Sequence, residues 1–132
     1  MNGKFVLAAE VKREVLDWGT LGWLSHPPAT GAQHLTVIDV YLTPGGGHNF
    51  HKHPDQEEVI FVVEGRVEQW LDKQKQLLQP GDSVFIPADT VHASFNVGAG
   101  NAHLLAILGP CVGEIGDEVV DVSGEDPWRS LR

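Results

Sequence analysis

Apolar and polar residues alternate along most of this chain, in runs too short for helices. Leu35 to Leu42 sets Thr36, Ile38, Val40 and Leu42 on one face and Leu35, Val37, Asp39 and Tyr41 on the other. Glu58 to Val63 is a β-rich run with Ile60 and Val62 on the Glu58 side. Val67 to Leu71, Lys75 to Leu78, Ser83 to Ile86, His92 to Val97 and Ala102 to Leu108 are further runs of strand character. Turn signals separate them, among them Pro44-Gly45-Gly46-Gly47, Glu64-Gly65, Pro80-Gly81-Asp82, Pro87-Ala88-Asp89 and Gly109-Pro110. Short strands at this spacing predict an all-β, antiparallel sandwich or barrel. No helix is predicted. Ala8 to Trp18 has Val11, Val15 and Trp18 at helical spacing, but its β-branched valines suit a strand equally. Val112 to Arg132 is acidic and aperiodic, and reads as a tail over the surface with a short strand at Val119 to Val122.

At 132 residues the chain is expected to form one domain with a sizeable core. The core is placed at residues 35–108, with N-terminal strands in 1–34 and the tail in 109–132. Nine Lys plus Arg against eighteen Asp plus Glu gives a net charge of −9, which argues against a nucleic-acid partner. A small anionic substrate stays open, because a bound metal would be the largest local charge in its site. Cys111 is the single cysteine, so no intrachain disulfide can form. With no secretory signal and no apolar run of membrane-spanning length in view, a cytoplasmic location is expected.

The chemistry concentrates in two segments. The first runs from Gly45 through His51-Lys52-His53 to Glu58 and Gly65, the second from Gly81 through Pro87 to His92 and Asn96. In a strand, His51 and His53 point to one face. Glu58 joins them if the side bearing Ile60 and Val62 is the interior, whereas Glu57 falls outside. Gln56 is a second competitor for the carboxylate position. Three imidazoles and a carboxylate suit Fe, Mn, Ni, Co, Cu or Zn without choosing among them. On an octahedral ion they leave two positions open, the mark of a catalytic rather than a structural site.

These segments resemble the two motifs of the cupin family. Gly45, His51, His53, Glu58 and Gly65 fit the first throughout, and Gly81, Pro87, His92 and Asn96 fit the second. Asp89 stands where glycine is usual, and Asp tolerates the left-handed turn better than most residues. The resemblance covers roughly residues 35–108. It implies a jelly-roll β-barrel (a double-stranded β-helix) with one divalent transition metal held by His51, His53, Glu58 and His92 near one mouth.

Fold does not fix the reaction. A dioxygenase-like enzyme acting on an enediol, flavonol-like or dicarbonyl substrate is expected first, because few inward acids or bases are evident. A non-redox isomerase or lyase on a sugar-like or keto-acid substrate, or a non-catalytic binding module, are the alternatives. The isomerase or lyase would need a proton carrier beside the open positions, and His103, His48 and Tyr41 are the candidates. His48 sits in the glycine-rich segment and reads as a solvated loop residue, His103 as a satisfied core or rim residue. Phe50, Phe95, Trp70 and Trp23 are candidate pocket linings, and Arg66 is a candidate partner for a substrate carboxylate. A homodimer is expected by base rate, through the N-terminal strands and the tail around Trp128.

Overall fold

The computed structural model describes residues 3–132. Its strands are β1 (Lys12–Leu16), β2 (Gly19–Ser25), β3 (Thr36–Leu42), β4 (Gly47–Lys52), β5 (Glu57–Glu64), β6 (Val67–Leu71), β7 (Gln74–Leu78), β8 (Ser83–Ile86), β9 (His92–Asn96), β10 (Ala102–Gly109) and β11 (Val120–Asp121). They form two antiparallel sheets, ordered β1-β2-β3-β10-β5-β8 and β11-β4-β9-β6-β7. The two facing sheets are consistent with the expected jelly roll, and no ladder closes them into a continuous barrel among the described residues.

The period-two pattern explains the interior. Ile38, Val40 and Leu42 pair with Ala106, Leu104 and Ala102 of β10, and Ile60 and Val62 flank them from β5. Val67 and Leu78 of the second sheet close over this set as one core. Burying each such branched side chain stabilises by about 1.5–3 kcal/mol.

The second sheet is also covered on its outer face. Phe50, Trp70, Val91, Ala93 and Phe95 pack there with Val122, and Trp128 and Leu131 of the tail lie against them. The tail lies over the surface with a short strand, β11, and Val122 is buried against that sheet. Trp128, an expected dimer contact, packs on its own chain. One helix was not expected: α1 (Pro27–Thr30) is a single turn with Pro at its start and Gly31 left-handed at its end. Its signals are the usual ones, but one turn is too short to show periodicity.

Candidate metal centre

Strand register brings the histidines together. His51, in β4, lies directly opposite His92, the first residue of β9. His53 follows β4 just before the Pro54-Asp55 turn, and Glu58 is the second residue of β5. All four side chains are buried, none more than 5% exposed. Glu57 is exposed, as strand parity requires.

Each imidazole is turned by a backbone carbonyl. Nδ1 of His51 bonds to the Asn49 carbonyl at 2.6 Å, that of His53 to Glu118 at 2.9 Å, and that of His92 to Thr90 at 2.9 Å. A carbonyl only accepts, so in the neutral rings the proton sits on Nδ1 and the Nε2 lone pair is left free. Ring nitrogens of all three lie within 4.8 Å of one another, so the group could hold a metal ion. Glu58 Oε1 adds an anionic oxygen 2.8 Å from His92 Nε2 and 3.3 Å from His53 Nε2. None of these three atoms makes a hydrogen bond of good geometry. Buried, unpaired polar atoms are costly, and a divalent cation between them would satisfy all three. The residues therefore fit a metal.

The charges are strongly coupled. Burial and the neighbouring imidazoles of His48 and His92 push the His51 pKa well down. Burial also opposes charge on His53, but the Asp117 and Glu58 carboxylates outweigh it and raise its pKa to about 10. Burial opposes charge on Glu58 too, and His53 and His92 outweigh it, holding the carboxyl well below its usual range.

The centre opens into a narrow cavity of about 60 Å³. Leu21, Ile38, Val40, Ile60, Leu104 and Ala106 form much of its wall, and Trp18 stands at its edge. No Lys or Arg lines it among the described residues. Its polar groups beyond the cluster are His48, Ser94 and Asp117.

His48 is not a solvated loop residue. It belongs to β4, and its ring stacks on His51 at 3.6 Å between centroids and on Trp18 at 4.9 Å. Burial lowers its pKa to about 4. His103 and Tyr41 lie elsewhere. They are register partners that stack on each other, and His103 bonds to Asp39. They alternate with Leu104 and Val40, so they occupy the outer face of the first sheet, away from the cavity. Gln56 is buried but is no ligand. Its amide donates to the carbonyls of Pro110 and Gly116, and its oxygen accepts from the Glu118 N–H. Phe50, Phe95 and Trp70 sit in the outer core, and Trp23 packs beside the inner core against His26. None of these lines the cavity, nor does Arg66. Asp89 does take the left-handed turn, at φ 63°.

The sequence reading missed Asp117. Its carboxylate reaches the centre from the tail and lies 3.0 Å from His53 Nδ1. No spacing rule links it to either motif.

A β-sandwich with a buried histidine cluster at one end of an apolar cavity defines the class. The family model for the cupin domain matches residues 38–108, and the chain belongs to the cupin family. It is 32% identical over 110 residues to polyketide synthase CurC of Streptomyces cyaneus, spanning 83% of this chain and 71% of that one. It is 35% identical over 95 residues to quercetin 2,3-dioxygenase of Bacillus subtilis, but spans only 28% of that protein. Among solved structures, the polyketide cyclase RemF from Streptomyces resistomycificus superposes with a TM-score of 0.71 at 24% identity, covering 96% of this chain and 90% of that one. That last likeness is one of fold alone. No helix among the described residues is long and apolar enough to cross a membrane.

Proposed function

We propose that this cupin is a metal-dependent enzyme. In this reading His51, His53, Glu58 and His92 hold one divalent transition metal ion. The substrate is a planar, polyoxygenated small molecule of β-dicarbonyl, enediol or flavonol-like type, and the reaction is non-redox. One observation carries the reading: three imidazoles are turned Nε2-inward beside Glu58, at the end of an apolar cavity that also holds a free imidazole and a carboxylate. An ion bound there would supply Lewis-acid polarisation of a substrate carbonyl.

The chain's own residues do the rest. The aliphatic wall excludes water and favours a flat, weakly polar molecule. With no Lys or Arg in the lining, a small dicarboxylate or keto acid would find no such cation to pair with. His48, neutral at pH 7 because burial lowers its pKa, is placed to take a proton from a substrate carbon or oxygen and return it. His48 is the one of the three expected proton carriers that lines the cavity. That moves weight from the expected dioxygenase to a non-redox reaction, and the similarity to polyketide synthase CurC points the same way.

A dioxygenase acting on the same substrates is the second reading. The sparsely polar wall and the match to quercetin 2,3-dioxygenase favour it. Residues 1–132 act as one unit in either case. We further propose a cytoplasmic homodimer, for which β1, an exposed edge strand, offers a pairing surface.

The test is turnover with and without dioxygen. The metal-loaded protein is offered poly-β-ketones, enediols and flavonols under nitrogen and in air. Product formed under nitrogen supports the non-redox reading. Product formed only in air, with stoichiometric oxygen uptake, establishes the second reading. No product in either atmosphere overturns both in favour of a binding module.

A further inference from the structure

We propose that residues 110–122 are a strap that completes the metal centre, with Asp117 as a positioning residue for His53 and Gln56 as the anchor. The inference rests on the metal reading above.

The strap is held by polar side chains from three separate parts of the fold. His26 Nδ1 bonds to the Ile115 carbonyl at 2.8 Å, and the Thr36 hydroxyl donates to the Gly116 carbonyl at 2.8 Å. Gln56 makes three bonds to it, to Pro110, Gly116 and Glu118. Thr36 and Gln56 are essentially inaccessible, at 0% and 1% exposure. An amide or hydroxyl buried without partners is destabilising, and these two spend their main bonds on a single segment. Gly116 adds a steric requirement. It takes φ 84°, and a Cβ there would come within 2.5 Å of Thr36 Oγ1.

The anchoring has a geometric outcome. The two residues after Gly116 are the ones that meet His53: the Glu118 carbonyl is hydrogen-bonded to Nδ1 at 2.9 Å, and the Asp117 carboxylate lies at ion-pair distance, 3.0 Å from the same nitrogen, without hydrogen-bond geometry. The strap then pairs alongside β4, with Val120 opposite Lys52 and Asp121 opposite His51. His51 and His92 take their Nδ1 partners from within two residues of themselves. His53 takes its partner from 65 residues away. Its ring orientation is therefore set by the strap and not by its own strand. Outer partners of this kind fix the tautomer and direction of a ligating imidazole, and losing one costs roughly ten- to a hundred-fold in metal affinity.

The experiment measures Co²⁺ and Zn²⁺ affinity by chelator competition, together with the visible spectrum of the Co²⁺ form. The proteins are wild type, Asp117→Ala, Asp117→Asn and Gln56→Ala. The Asp117 side chain is 11% exposed, so the melting temperature of metal-free Asp117→Ala is recorded alongside, to separate loss of fold from loss of affinity. Asp117→Ala should bind metal about ten-fold more weakly and show altered Co²⁺ bands. Asp117→Asn keeps an acceptor oxygen and should recover much of both. Gln56→Ala removes three of the strap's anchoring bonds and should lose more affinity than Asp117→Ala. Wild-type affinity and an unchanged spectrum in both alanine variants would overturn the strap while leaving the metal reading intact. No uptake of either ion by the wild type would remove the metal reading, and the strap's role with it.

Discussion

Replacing Phe50 by Ala tests whether the tail seals the outer face of the second sheet. Phe50 is 1% exposed and meets Trp70 and Phe95 edge-on, with ring centroids 5.4 and 6.1 Å away. Val122 closes the same cluster from the tail, and its N–H donates to the Phe50 carbonyl at 3.0 Å. Truncating a buried Phe costs about 3–5 kcal/mol, with the larger cost where neighbours cannot collapse into the space. Here the neighbours are large rings fixed on sheet strands, so about 4 kcal/mol is expected. For a chain of this size that lowers Tm by roughly 15 °C. Urea unfolding of the metal-free protein should show a lower midpoint at unchanged m-value. Phe50→Leu, which keeps most of the volume, should cost about 1.5 kcal/mol or less. A Phe50→Ala cost below about 1 kcal/mol would mean that the ring is open to water and that the tail does not cover it.

Three further outcomes are expected. His51→Ala or His92→Ala should abolish metal uptake, and elemental analysis showing wild-type metal content in both would sink the ligand assignment. In the metal-free protein the His53 pKa is raised to about 10. Its stabilising contribution is full below about pH 6.5 and disappears as pH rises through 10. A metal must displace that proton, so Zn²⁺ affinity should climb from pH 6 to pH 8, and a flat profile would refute the protonated His53. If β1 pairs with its counterpart in a second copy, sedimentation should give twice the chain mass, and Val15→Asp, at a side chain 81% exposed, should shift it toward monomer; a wild-type monomer at micromolar concentration would exclude the pairing.

The strands were readable because their inner faces alternate strictly, and the same parity separated Glu58 from Glu57. The same parity fixes the direction of two phenylalanines. Phe50 is adjacent to His51 and Phe95 is an odd number of residues from His92, so both had to face away from the cluster. Gly45-Gly46-Gly47 reads as a loop, whereas β4 already begins at Gly47, and a register shift between His48 and His51 turns His48 to the cavity against simple parity. A Cβ at Gly47 would come within 2.4 Å of the Ser94 carbonyl oxygen, so glycine there permits close strand approach rather than a turn. His103 and Tyr41 alternate with inward residues and could have been set aside on the same ground. The tail carries no period because it is held by Gln56, Thr36 and His26, whose bonds are long-range and leave no local pattern. Asp117 was invisible for that reason.

The strap also sets an order of events. During synthesis the strands that carry His51, Glu58 and His92 emerge well before residues 110–122. Domains tend to form as their chain appears, so the sheets can pair while His53 still lacks its outer partner. The last side of the pocket arrives with residues 110–122, and a nascent, strapless intermediate would exchange ions more freely than the strapped fold. Ion selection would then fall to the completed molecule and its surroundings, not to whichever cation first met the growing polypeptide.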